Sequence, residues 1–228
     1  MVPVARLSGR IGQRIHTVFL AADNAPVRSV PTWSLLLALA VATAQGATKI
    51  PDVRDGDIVF HTSRSAQSLA IQRATHSLYS HMGVVLLRGG KPYVFEAIST
   101  VQYTPLEQWL ARGENGRYVI KRLRKPLTTD EISRLRAEAA PYAGRPYDLT
   151  FEWSDTRLYC SELVWKMFQR AVGIEIGHRQ RLRDFDLTDP AVRLKMAERY
   201  GERVPLDESV ISPAAMFAAE VLVEVEAR

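Results

Sequence analysis

A thiol, an imidazole and a carboxylate held in line can cleave an acyl bond, and this 228-residue chain carries a single thiol, Cys160. With no second cysteine there is no internal disulfide, so the thiol is buried and inert, bridges molecules, or reacts. From Cys160 the apolar residues Leu163, Val164, Met167, Phe168 and Ala171 recur at helical spacing until Gly173 supplies a stop. The sulfur therefore falls in the first turn of a helix, where unpaired backbone N–H groups and the positive end of the helix dipole favour a thiolate. A cysteine nucleophile also needs a base within hydrogen-bond reach and a third group that orients the base.

The candidate bases are His16, His61, His76, His81 and His178. His76 follows a short polar helix and reads as its cap, and His178 lies in a charged surface stretch. His81 is different, because it opens the strand Ser80-His81-Met82-Gly83-Val84-Val85 with small Gly83 next to it on the same face. The tetrapeptide Arg88-Gly89-Gly90-Lys91 is a strong hairpin signal. A two-residue Gly89-Gly90 turn sets Arg88 opposite Lys91 and Gly83 opposite Glu96. Side chains repeat every two residues along a strand, so Glu96 shares the face of His81 one diagonal step away, roughly 7–8 Å. A four-residue turn keeps the faces but separates the pair, and a three-residue turn puts them on opposite faces. Glu96 lies between Phe95 and Ala97, a setting in which a carboxylate needs a partner, and His81 is the natural one.

The elements that must hold these groups fall into two halves. Residues 52–123 read as β-rich: Asp57-Ile58-Val59-Phe60 as a buried strand, the runs His81–Leu87 and Tyr93–Ile98 as the hairpin, and Tyr118–Leu123 as a further strand. Ser65–His76 has helical spacing through Leu69, Ile71 and Ala74. The second half is helical. Thr128-x-x-Glu131 has the form of a capping box ahead of Ile132, Leu135 and Ala139, and Asp189-Pro190 opens a helix that Gly201 closes. Strands first and helices after make an α+β arrangement, and 46% hydrophobic content suffices for one core.

The ordered series Gly56-Asp57-Ile58-Val59-Phe60, Tyr79-Ser80-His81-Met82-Gly83, Val94-Phe95-Glu96-Ala97 and Tyr159-Cys160-Ser161-Glu162 resembles the YiiX-like branch of the permuted NlpC-type, papain-like amidohydrolases. The resemblance runs from about Asp52 to about Ala218. It implies a permuted papain-like fold, with a small antiparallel β-barrel carrying the histidine followed by a helix carrying the cysteine. It also implies Cys160 as nucleophile, His81 as base and Glu96 as orienting acid, while His61 and Thr104 receive no role from it. The chemistry implied is acyl transfer through a thioacyl enzyme. The oxyanion would sit on the Cys160 backbone N–H and one further donor, for which Tyr159, Tyr79 and Ser80 are candidates. Ser161 reads as orienting rather than attacking.

Residues 33–44 form an apolar run after Arg28, too short to span a bilayer comfortably, and Ala42-Thr43-Ala44 has the small-x-small cleavage pattern. Residues 1–44 thus read as a secretory signal with an unusually long n-region, as a misassigned start ahead of Val27 or Val30 would produce. The domain proper is 45–228, exported to the periplasm or beyond, with peripheral contact to the envelope. Loss of four arginines and one aspartate takes the formal charge from +5 to about +2, which argues against a nucleic-acid partner. The run Lys121-Arg122-Leu123-Arg124-Lys125 reads as a strand end with a solvated flank. No cofactor is implied. A metal site from His61, His76 and His81 matches no common zinc spacing. The substrate expected is an amide in a wall peptide or an amide-linked lipid. Lipid acyl hydrolysis or transfer, and a non-catalytic wall- or lipid-binding module, are the competing readings. The stretch from Leu182 to Pro213 is expected to line one side of the site, with Ile211-Ser212-Pro213 as a wall.

Overall fold

A computed structural model describes residues 51–228, and the leader read in residues 1–44 lies outside them. The elements in chain order are β1 (Ile58–His61), α1 (Ala66–Thr75), β2 (His81–Arg88), β3 (Lys91–Ala97), β4 (Val101–Pro105), α2 (Leu106–Ala111), β5 (Val119–Leu123), α3 (Thr129–Glu138), α4 (Cys160–Val172), β6 (Gln180–Arg181), α5 (Pro190–Tyr200), β7 (Ser209–Val210), α6 (Pro213–Phe217) and β8 (Leu222–Ala227). Six strands form one sheet in the order β4-β3-β2-β1-β5-β8, antiparallel at every pairing. This is the pairing of an open sheet with β4 and β8 at its edges. Among the described residues no pairing joins β4 to β8 to close the sheet into the barrel that the resemblance implies.

The β2–β3 hairpin turns through two residues. Gly89 and Gly90 both have positive φ, 56° and 75°, as a twist-matched tight turn requires. Arg88 pairs with Lys91 and Val84 with Phe95, the register that the glycine pair predicts. Gly83 is held tightly, since a Cβ there would meet Val94 Cγ1 at 2.4 Å and the Phe95 carbonyl oxygen at 2.9 Å.

Both faces of the sheet are covered, which explains why β1 and β2 read as unbroken apolar runs rather than alternating ones. On one face Phe60, Met82, Val84 and Phe95 pack with Leu163, Val164, Met167 and Phe168 of α4, all fully buried. At about 1.5–3 kcal/mol for each such side chain removed from water, this contact fixes α4 across β2 and β3. On the other face Val59, Val85, Val94 and Ile120 pack under Leu106 and Trp109 of α2. The capping box of α3 forms between Thr128 and Glu131, Gly173 ends α4 in the left-handed conformation, and Asp189 caps α5. The strand β4, the helix α2 and the C-terminal strand β8 had no clear sequence signal.

The basic run after β5 is more engaged than a solvated flank. Arg122 grips buried Asp57 through Nε and an Nη at 2.7 and 2.8 Å. Lys121 donates to the Phe217 carbonyl, and Arg124 to that of Glu220 at 2.6 Å.

Candidate active site

The hairpin brings His81 and Glu96 together, His81 at the start of β2 and Glu96 near the end of β3. His81 Nε2 lies 2.7 Å from Glu96 Oε2. Glu96 is wholly buried and collects further donors: the Thr104 hydroxyl at 2.5 Å, Trp109 Nε1 at 2.9 Å, and an Arg112 Nη within 2.5 and 2.7 Å of its two oxygens. Burial works against the charge on Glu96, but the bond and charge of His81, with Thr104 and Arg112 behind them, outweigh it and bring the carboxyl down to about 2. Burial likewise opposes a charge on His81. The hydrogen bonds and charges of Cys160 and Glu96 prevail and raise the imidazole to about 9.

Cys160 is the first residue of α4, buried, with its thiol close enough to His81 to raise the imidazole's affinity for protons. Because Glu96 occupies Nε2, Nδ1 is the ring nitrogen left for the sulfur. The helix start is anchored by its own neighbours. The Ser161 hydroxyl donates to the Ile211 carbonyl at 2.8 Å, and the Glu162 carboxylate accepts the Tyr159 N–H at 3.4 Å while pairing with buried Lys166 at 2.7 Å. Burial raises Glu162 to about 7 against the pull of Lys166.

The residues named as oxyanion donors fall in different places. Ser80 lies beside His81, its hydroxyl 2.5 Å from that of Ser68 and accepting the Ser63 N–H. The Tyr159 hydroxyl accepts the Ile211 N–H at 3.1 Å. Tyr79 stacks on Phe217 with ring centroids 4.0 Å apart and borders neither of the spaces that flank the cysteine. Two residues that the sequence did not single out border both spaces, Gln67 of α1 and Tyr147. Gln67 Nε2 donates to the Tyr147 hydroxyl at 2.7 Å, and burial, then the charge of Cys160, raises the Tyr147 phenol. Neither has a periodic or turn signal; only tertiary packing brings them to the thiol.

His61 pairs with His81 across β1 and β2 and stacks on Trp109 at 4.1 Å. Burial, followed by the charges of His81 and Arg112, lowers it to about 3, so its ring is neutral, and its Nδ1 has no partner among the described residues. His76 caps α1 and faces Asp186 at 3.2 Å, while His178 is exposed.

Two spaces open on the His81–Cys160 pair, one reaching the thiol and the other the imidazole. A narrow apolar chamber between α1 and α5 ends on Cys160, and the stretch 182–213 lines it through Leu182, Leu187, Val192, Met196, Ile211 and Pro213. A wider cleft of mixed lining, with Ser63, Arg64 and Arg112 beside Ile98 and Leu149, ends on His81.

The model of the permuted papain-like amidase enzymes, YaeF/YiiX, C92 family, matches residues 52–225. The chain is 52% identical over 170 residues to YiiX of Escherichia coli strain K12, an uncharacterized protein, covering 75% of this chain and 84% of that one. A crystal structure described as that of the metalloprotein yiiX from Escherichia coli O157:H7 superposes with a TM-score of 0.75 at 51% identity, covering 77% of this chain and 97% of that one. A helix-borne cysteine behind the strands that hold its histidine, matched over most of its length by that family's model, places this chain among the permuted papain-like amidases of the C92 family, which are cysteine hydrolases.

Proposed function

We propose that the protein hydrolyses an amide through Cys160, His81 and Glu96. The observation that carries this reading is the position of His81, bonded on one side to a buried, charged carboxylate and close on the other to the Cys160 thiol. With the imidazole raised to about 9, His81 carries a proton at neutral pH. The sulfur attacks the carbonyl carbon as the S–C bond forms. The tetrahedral intermediate collapses with cleavage of the C–N bond, and His81 gives its proton to the departing amine. Water then enters, His81 accepts its proton, and the thioester is cleaved to the free acid. The oxyanion is held by the Cys160 N–H at the start of α4 and by the Tyr147 hydroxyl, which Gln67 orients.

A metal is claimed for the relative from strain O157:H7. Among the described residues no three His, Cys, Asp or Glu side chains converge as a metal site requires.

Cys160→Ala and His81→Ala are expected to abolish amine release. Glu96→Gln is expected to retain a residue, about 10²–10⁴-fold below wild type, because the ring loses its orienting charge but stays basic. Wild-type rates from the two alanine variants would overturn the reading. The setting proposed is the bacterial envelope, with residues 1–44 removed on export. N-terminal sequencing of protein from its native host is expected to begin near Gln45 or Ala47, and an intact leader in soluble cytoplasm would overturn export. In that setting the substrate is a small exposed amide, a wall peptide or an amide-linked lipid, rather than a folded protein.

A further inference from the structure

The turn Tyr159-Cys160-Ser161-Glu162 carries a charged group that takes no part in the steps above. Glu162 stands in the first turn of α4, two residues beyond the cysteine, and is wholly buried. One turn further on, Lys166 is 2% exposed. Its ammonium lies 2.7 Å from Glu162 Oε1 at angles outside those of a hydrogen bond, so the contact is one of charge. Two charges taken out of water are a poor source of stability, since apolar residues of similar volume often serve as well or better. The use of the pair lies in what it holds.

It holds the loop 147–158, which carries Tyr147 to the thiol. A parallel bridge between Tyr147 and Leu158 closes the neck of this loop, with the Asp148 N–H donating to the Leu158 carbonyl at 3.1 Å. Lys166 grips its far end. The ammonium donates to the Ser154 carbonyl at 2.6 Å and to the Asp155 carboxylate at 2.8 Å, and it lies 4.9 Å from the centre of the Trp153 ring. Arg170, one turn along α4, adds a second hold on Asp155 at 3.0 Å. Glu162 meanwhile accepts the N–H of Tyr159, the residue between the loop and Cys160, at 3.4 Å. One carboxylate thus joins the entry to the nucleophile's helix with the cation that holds the loop.

The surrounding charges make that carboxylate depend on Lys166. Asp148, at the neck, is a second buried carboxylate whose charge opposes that of Glu162, while Lys166 favours it. Asp148 has one oxygen without a partner among the described residues, and Arg157 approaches the other only to 4.0 Å. Glu162 borders neither the chamber nor the cleft, so it meets no substrate.

An oxyanion site needs its donors at a fixed spacing, and here they belong to two elements: the Cys160 N–H to α4 and the Tyr147 hydroxyl to the neck of the loop. A misplacement of about 1 Å in such a site can cost about a hundredfold in rate. Resting on the amidase reading above, we infer that Glu162 is a positioning residue: paired with Lys166, its carboxylate locks the loop 147–158 to the first turn of α4 and so sets the spacing of the two oxyanion donors.

Two reactions of the same sulfur separate this role from a merely structural one. Acylation by p-nitrophenyl acetate passes through an oxyanion, whereas alkylation by iodoacetamide displaces iodide and forms none. The comparison is made at about pH 8, above the value of about 7 to which burial raises Glu162. There Glu162→Gln is expected to slow the acylation burst about tenfold or more and to leave alkylation within about twofold of wild type. The loss is one of spacing between donors, so it should not multiply with that of Tyr147→Phe. The double variant is expected to acylate within about twofold of Tyr147→Phe alone. Glu162→Gln combined with Lys166→Met removes both buried charges, and it should regain melting temperature relative to Glu162→Gln without regaining acylation.

Equal losses of acylation and alkylation, no loss of either, or a loss that multiplies with that of Tyr147→Phe would each overturn the inference. Acylation restored in the uncharged pair would overturn it too, because the pair would then serve stability alone. The amidase reading survives all of these outcomes. Absence of a Cys160-dependent burst from wild-type protein would sink that reading, and the positioning role with it.

Discussion

Glu96 sits in the sheet interior as an anion because its neighbours leave it no cheaper state: Thr104, Trp109, Arg112 and His81 all direct donors at it. Its carboxyl is lowered from 4.5 to about 2, so it contributes stability that is fully present above pH 4.5 and lost as pH falls toward 2. Wild-type protein is therefore expected to lose denaturant resistance on acidification across that interval by more than Glu96→Gln does, as urea titrations at several pH values would measure. His81 is displaced the other way, from 6.5 to about 9. The alkaline limb of kcat/KM is expected near pH 9 and should move downward in Glu96→Gln, where the imidazolium has lost its counter-charge. A limb that stays put would mean that Glu96 does not set the ring's affinity for protons. Tyr147→Phe removes a hydroxyl beside the thiol, and a fall in kcat of about 10²–10³ with little change in KM is expected if it serves the oxyanion.

The hairpin was the most legible element, since its turn chemistry and its two-residue parity are both local. Gly89-Gly90 fixes the register, and the register alone puts His81 and Glu96 on one face. Gly83 is part of the same device. Gly83→Ala would drive a methyl into Val94 and the Phe95 carbonyl, and a loss of about 1–3 kcal/mol is expected in urea unfolding. The helix of Cys160 was equally readable from its apolar spacing and its glycine stop. What escaped was nonlocal. Trp109 and Arg112 reach Glu96 from α2, a helix of six residues too short to show a period, and Tyr147 comes from a loop. The strand β8 pairs with β5 about a hundred residues earlier, and no local pattern announces that partnership. Of the three oxyanion candidates, Ser80 lies beside His81, whereas Tyr79 packs among aromatic rings, a placement that strand neighbourhood alone could not foretell.

Across the whole molecule, the two faces of the sheet do different work. Under α2 the sheet encloses Glu96, and against α4 it receives Cys160. The buried pair of Asp57 and Arg122 ties the start of β1 to β5 and so holds the middle of this sheet in place. Arg122→Ala would strand a buried carboxylate, and a loss of about 3–5 kcal/mol is expected by thermal or urea unfolding. Asp57→Asn together with Arg122→Ala should recover much of it.

The order of the elements also has a consequence in time. His81 and Glu96 are 15 residues apart and join through one hairpin, whereas Cys160 arrives 64 residues after Glu96 and reaches the histidine only when α4 docks. Contacts of short sequence separation close before distant ones, so a chain emerging from the ribosome is expected to pair His81 with Glu96 before Cys160 arrives. Cys160 is expected to reach the pair only at the last step of assembly, when the apolar face of α4 is buried. Pulse alkylation of Cys160 during refolding should therefore track the docking of α4, with its reactivity changing after hydrogen exchange in β2 and β3 has slowed.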